Sequence, residues 1–171
     1  MALTPGHGHE ALRRGRWSTP SAEYFLTFCT KDRRPGLIEP PIATALLDET
    51  QRLEVEDAWR PRTAVVMPDH LHLLVWLGER TPLSAAVRLF KGRLTPVLRS
   101  AGLQWQRAYF DHRLRPDEDR LPVFLYVFLN PHRARLIAAD HRWPAYFCHP
   151  EDQRWFEPLT NGSCPFPEWL S

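Results

Sequence analysis

The chain is poor in three things, and each shortage excludes a class of protein. No apolar run approaches the roughly 20 residues that a helix needs to span a bilayer, and the start carries no signal-peptide pattern. No membrane partner is therefore expected. There are three cysteines, Cys29, Cys148 and Cys164, and no C-x-x-C pair. That spacing offers neither a disulfide framework nor a zinc finger, so a reducing, cytoplasmic setting is expected. Lysine is almost missing: all of the 22 basic residues except Lys31 and Lys91 are arginine.

The arginines matter more by position than by sum, because the net charge is only +2. They gather at Arg13, Arg14 and Arg16, between Arg88 and Arg99, and between Arg107 and Arg115, while acidic residues collect at 48–57 and 117–119. Arginine binds phosphate through two parallel N–H bonds, which lysine cannot do. A polyanionic partner fits this pattern, but a genome rich in arginine codons would produce it too. Charge alone leaves the two open.

At 171 residues the chain is long enough for one domain with a proper core. We divide it into a flexible arm at 1–20, a folded domain at 21–142 and an irregular, Pro- and aromatic-rich extension at 143–171 packed on that domain. Residues 24–30 (YFLTFCT) read as a first strand. A charged turn (KDRRPG) follows, then a helix from about Ile42 to Glu56. Arg62 to Val66 and His70 to Leu77 read as two strands joined at Met67-Pro68-Asp69. Leu83 to Arg99 reads as an amphipathic helix, with Gly92 and Pro96 weakening its later half. Trp105 to Leu114 reads as a fourth strand, and 117–119 as a helix start. The order strand, helix, strand, strand, helix, strand is the α+β, ferredoxin-like split βαβ arrangement, an antiparallel sheet with helices on one face.

The stretch 67–77 (MPDHLHLLVWL) carries chemistry-bearing side chains at the mouth of an apolar strand. Residues i and i+2 of a strand share a face, so His70 and His72 point one way and Leu71 the other. Two adjacent imidazoles can form half of a metal site; they can also be two polar residues where a strand surfaces. Leu121 to Pro131 (LPVFLYVFLNP) reads as strand or helix by propensity, with its acidic lead-in favouring helix and Pro131 expected to kink or end it. Tyr126 and Asn130 share a face either way. A core tyrosine and a helix cap would explain them equally.

Taken together in order, MPDHLHLLV, LFKGR, WQRAYFDHRLR and YVFLNPHRA resemble the single-tyrosine HUH transposases, most of all their REP-associated branch, over about Tyr24 to Ile137. By that resemblance His70 and His72 correspond to metal ligands, Asn130 to a third, and Tyr126 to the nucleophile. Mg²⁺ or Mn²⁺ is the implied cofactor. The implied activity is nicking and strand transfer on single-stranded, hairpin-forming DNA through a 5′-phosphotyrosine. Resemblance to this branch favours a monomer over a homodimer. Tyr109 is the rival nucleophile. Lys91, Arg93, Arg107, Tyr109, His112, Arg113 and Arg115 are read as DNA contacts, His132 likewise, and Trp105 and Phe110 as stacking platforms or core. Three positions depart from the family pattern: Asp69 stands where asparagine is frequent, and Ala108 and Arg135 where glycine is. A hairpin-binding regulator that no longer cuts is the alternative. An unrelated metallohydrolase is disfavoured, since H-x-H barrel enzymes need about 250 residues and a histidine-triad hydrolase wants histidine at Leu74.

Overall fold

The computed structural model describes residues 18–171; Arg13, Arg14, Arg16 and most of the expected flexible arm lie outside them. Five antiparallel strands form one sheet in the order β4-β1-β3-β2-β5. They are β1 (Glu23–Cys29), β2 (Trp59–Val66), β3 (His70–Leu77), β4 (Phe110–Arg113) and β5 (Tyr146–Cys148). The four helices are α1 (Pro40–Val55), α2 (Leu83–Ser100), α3 (Leu121–Arg133) and α4 (Pro150–Phe156). Among the described residues, no helix is long and apolar enough to cross a membrane.

The first six elements reproduce the split βαβ order expected from the sequence. Strand alternation sends Tyr24, Leu26 and Phe28 of β1 and Leu71, Leu73, Val75 and Leu77 of β3 to one face. There they meet Leu46 and Leu53 of α1 and Phe90, Leu94 and Leu98 of α2 in one continuous core. The intervening residues of β1 and β3 face the other way, toward α3. On that side Leu74 packs with Phe124 and Phe128 of α3 and Phe156 of α4, and Val65 and Met67 pack with Val127.

Local chemistry explains where elements start and stop. Pro40 and Pro41 open α1, where a missing N–H costs nothing. Gly92 and Pro96 do not end α2, because both are exposed while Leu94 and Leu98 anchor the same turns in the core. Gly78 closes β3 where a Cβ would come within 2.1 Å of the Asp57 carbonyl oxygen, so only glycine fits.

Several boundaries differ from the sequence reading. The fourth strand starts at Phe110, not Trp105: Trp105 makes an isolated bridge to Thr30, and the chain then leaves the sheet to pack Trp105 and Tyr109 against Phe28. The second strand starts earlier, at Trp59, and absorbs Pro61 beside a register shift. The extension expected to be irregular contributes β5 at the sheet edge and α4. The expected helix start at 117–119 is a turn, and α3 begins at Leu121 with Leu121 N–H donating to Asp119 Oδ1 at 3.0 Å. Helix α3 also runs through Pro131 to Arg133. It closes with Arg135 N–H on His132 O and Leu136 N–H on Pro131 O, both 2.9 Å. This closure needs a left-handed residue, and Arg135 supplies it at φ 57°. A glycine would suit that backbone better. Ala108 is not among the residues with positive φ, so nothing strains it.

Candidate active site

The two histidines occupy the start of β3 on the face toward α3. Their Nε2 atoms are 3.1 Å apart. Each outer nitrogen is anchored: His72 Nδ1 lies 2.8 Å from Thr27 Oγ1, its cross-strand neighbour on β1, and His70 Nδ1 lies 2.7 Å from Asp69 Oδ1. A carboxylate can only accept, so His70 carries its hydrogen on Nδ1. The Thr27 hydroxyl can donate to or accept from His72 Nδ1; where it accepts, both Nε2 atoms present lone pairs toward one point. Second-partner bonds of this kind fix an imidazole's tautomer and orientation.

The surroundings keep both rings neutral. Burial drives His72 down from the ordinary imidazole value of 6.5 to about 3, aided by the nearby positive charges of His70 and Arg33 and opposed by Asp69. His70 is lowered as well, because burial outweighs the pull of Asp69. In that tautomer two lone pairs face each other at 3.1 Å and repel unless a positive charge lies between them. The electrostatic complement of the pair is a cation. Among the described residues, no group of three or more His, Cys, Asp or Glu could hold a metal. Any third protein donor here must be of another type, and an amide oxygen is one such type.

Helix α3 brings Tyr126 to this pair. Val127 and Phe128 hold the helix on the sheet, which turns Tyr126 outward along the histidine side. Its Oη lies 3.4 Å from His72 Nε2, and the side chain stays 44% exposed. Phe25 lines the gap, stacked on His72 at 5.4 Å and edge-on to Tyr126 at 5.8 Å. Phe110, 55% exposed on the edge strand, meets Phe25 at 6.4 Å. Asn130 follows Tyr126 by one helical turn and is half-buried.

The other residues singled out from the sequence scatter. Tyr109 lies on the opposite face of the sheet, against Phe28. Lys91 Nζ donates to the Gln106 and Arg107 carbonyls at 2.6 and 3.3 Å, tying α2 to the loop before β4. Arg93 bridges Glu49 of α1 and Glu56, which caps that helix, at 3.1 and 2.9 Å, so it joins two helices rather than lying free on an exposed face. Arg113 pairs with Tyr24 across the sheet and donates to Thr19 Oγ1. His112 shares the histidine face, opposite Phe25, and pairs with Glu118 at 3.0 Å. Arg107 and Arg115 are exposed. His132, read as a DNA contact, is instead buried, with Nε2 bonded to the His141 carbonyl at 3.0 Å.

Three features escaped the sequence reading. Thr27 and Phe25 were only strand residues until cross-strand register set them beside His72. Arg33 was one charge in a turn; its Nε lies 2.7 Å from Asp69 Oδ2 and one terminal nitrogen 3.4 Å from His70 Nδ1. The third is a buried ion network at the far end of α3. Arg62 of β2 bonds Glu23 of β1 and Asp152 of α4, and Arg120, which caps α3, donates to Glu23 at 2.6 Å. It fastens the start of the helix that carries Tyr126.

The antiparallel sheet thus presents two histidines from a central strand to a tyrosine on a covering helix. Residues 18–114 match the family model described as Transposase IS200 like, and the chain belongs to that family. The match includes both histidines and ends before α3. A protein of Haemophilus influenzae described as a REP-associated tyrosine transposase is 25% identical over 142 residues, 74% of this chain and 79% of the relative. The ISDra2 transposase TnpA of Deinococcus radiodurans is 30% identical over 81 residues, 47% of this chain and 57% of that protein. A solved structure of a REP-associated tyrosine transposase bound to a REP hairpin superposes with a TM-score of 0.68, at 22% identity, over 90% of this chain and 93% of the other. The two share a fold.

Proposed function

We propose that this transposase-family protein is a metal-dependent endonuclease and strand transferase acting on single-stranded DNA at hairpin-forming repeats. One observation carries the reading: a half-exposed tyrosine hydroxyl 3.4 Å from a histidine pair whose nitrogens converge. The hairpin substrate is supported by the fold shared with a protein solved on a REP hairpin. His70, His72 and the Asn130 amide oxygen would hold Mg²⁺ or Mn²⁺, a donor set that suits a hard or borderline cation. When bound, such an ion supplies Lewis-acid neutralisation of charge at a scissile phosphate.

Tyr126 is the nucleophile. Its Oη forms a bond to phosphorus as the bond from phosphorus to the 3′ oxygen breaks. The tyrosine proton passes to solvent, and the departing 3′ oxygen takes up a proton. The product is a 5′-phosphotyrosine and a free 3′-OH. Attack on that linkage by the 3′-OH of another strand regenerates the tyrosine and joins the strands without ATP. Thr27 and Asp69 keep both histidines in the tautomer that points lone pairs inward. Phe25 keeps the ring of Tyr126 edge-on and excludes water from one side of His72, and Phe110 offers a flat exposed surface for an unpaired base.

The test is a cleavage assay with labelled single-stranded hairpins from the flanks of the protein's own gene, with Mn²⁺, Mg²⁺ or EDTA. A metal-dependent adduct that survives denaturing gels and vanishes in Tyr126→Phe is expected. An adduct that survives in Tyr126→Phe but not in Tyr109→Phe moves the nucleophile to the opposite face. Hairpin binding with no adduct favours the non-cutting regulator.

A further inference from the structure

The cation that touches the histidine pair is none of those expected to bind DNA from the sequence. It is Arg33, on the 3₁₀ turn that follows β1. Its Nε–H reaches Asp69 and one Nη1–H reaches Cys29 Sγ at 2.8 Å. The Nη2 group lies 3.4 Å from His70 Nδ1, but that nitrogen already gives its hydrogen to Asp69 and has no lone pair left to accept with. The Nη2 donors are therefore unspent, and the thiol is a weak acceptor that yields easily. The side chain is 54% exposed, beside Asp69 and the His70 end of the pair.

The backbone under it is strained. Asp32 and Arg33 are consecutive non-glycine residues in the left-handed region, at φ 56° and 55°. The strained pair is pinned on both flanks, before it by Lys31 N–H on Gln104 O at 2.8 Å and after it by Gly36 N–H on Pro68 O at 2.8 Å. A half-exposed ion pair adds little to the stability of a fold, so the Arg33–Asp69 contact does not account for holding that strain. Strain of this kind gathers where a side chain must be aimed for function.

We propose that Arg33 is a phosphate-binding catalytic residue. Its unspent fork would take a non-bridging oxygen of the scissile phosphate and stabilise the charge that builds on it as Tyr126 attacks. This rests on the nuclease reading above and names the protein cation that works beside the histidine pair. Asp69 then has two tasks: it orients His70 and holds the guanidinium until DNA arrives. Planar, bidentate binding of phosphate is what arginine does and lysine does not.

The full chain is tested as wild type, Arg33→Ala, Arg33→Lys and Arg33→Gly. The readouts are the single-turnover adduct rate on the hairpin oligonucleotide, the Mn²⁺ dissociation constant without DNA, and Tm. Arg33→Ala is expected to slow adduct formation by about 10²–10³-fold, with Mn²⁺ affinity near that of wild type, and Arg33→Lys to recover part of the loss. Arg33→Gly is the sharper variant, because it relaxes the left-handed backbone: Tm should rise while the rate stays as low as in Arg33→Ala. An active wild type with equally active Arg33→Ala and Arg33→Gly overturns the proposal alone. Mn²⁺ affinity falling in step with rate also overturns it, since Arg33 would then act only through Asp69 and His70. A wild type that forms no adduct removes the nuclease reading and this role together.

Discussion

The two faces of the sheet are built from the same strands and are opposites. On the α1/α2 face, Leu26, Phe28, Leu71, Leu73, Phe90 and Leu98 are sealed from water and touch only one another and their like. On the α3 face, the alternate residues of the same strands are Glu23, Phe25, Thr27, His70 and His72. They meet a tyrosine in the middle of α3 and an ion network at its start. Strand alternation thus confines the chemistry to one face, which also buries its own apolar cluster of Leu74, Phe124, Phe128 and Phe156. A rigid apolar face lets the other hold polar groups in fixed geometry, which preorganised catalysis requires.

The contrast is sharpest in a pair of substitutions. Tyr126→Phe removes a half-exposed hydroxyl and should lower the adduct rate by at least about 10³-fold, with urea unfolding unchanged within about 0.5 kcal/mol. Phe90→Ala, on the sealed face, should do the reverse: it costs about 3–5 kcal/mol in unfolding, while the protein that remains folded reacts normally. If Phe90→Ala alters the rate per folded molecule, the faces are coupled and the division fails.

Beside its apolar clusters, the α3 face carries stability in the ion network. Asp152→Ala leaves the Arg62 guanidinium buried with only Glu23 for an anion. Removing one partner of such a pair costs about 3–5 kcal/mol, measurable by chemical denaturation. A loss below about 1 kcal/mol would show that Arg62 finds water instead, stacked as it is on Phe124 and Trp76. Smaller again is Thr27→Val, which keeps the shape of the strand and deletes the anchor on His72 Nδ1. Mn²⁺ affinity, read by calorimetry, should fall about 10–100-fold with little change in Tm; an unaltered affinity would mean that packing against Phe25 is enough to aim the ring. The smallest effect lies at the end of α3. Arg135→Gly relieves a left-handed residue and should stabilise the protein by about 0.5–1 kcal/mol, seen as a rise in Tm without a change in rate.

Much of this was legible in the sequence because it is local. A period of two places His70 and His72 on one side of a strand whatever the strand packs against, and a spacing of four keeps Tyr126 and Asn130 together on a helix or a strand. The order of elements was legible from periodicity, whereas the left-handed backbone at Arg135 was not. The edges of elements were less so. Nothing local distinguishes Trp105 as the end of a loop packed on Phe28 from Trp105 as the start of a strand.

What only the tertiary structure decided are meetings between distant segments. Register between β1 and β3 chose Thr27, and not Leu26 or Phe28, as the partner of His72. The packing of Val127 and Phe128 chose which face α3 covers, and so set Tyr126, not Tyr109, beside the histidines. The fold of α1 against α2 spent Arg93 on two carboxylates, and a strained turn delivered Arg33 to the histidines. Backbone periodicity is a property of each segment alone and is written in neighbouring residues. The pairing of segments depends on which apolar faces bury each other best across the whole chain, and that is settled only when all of them are present.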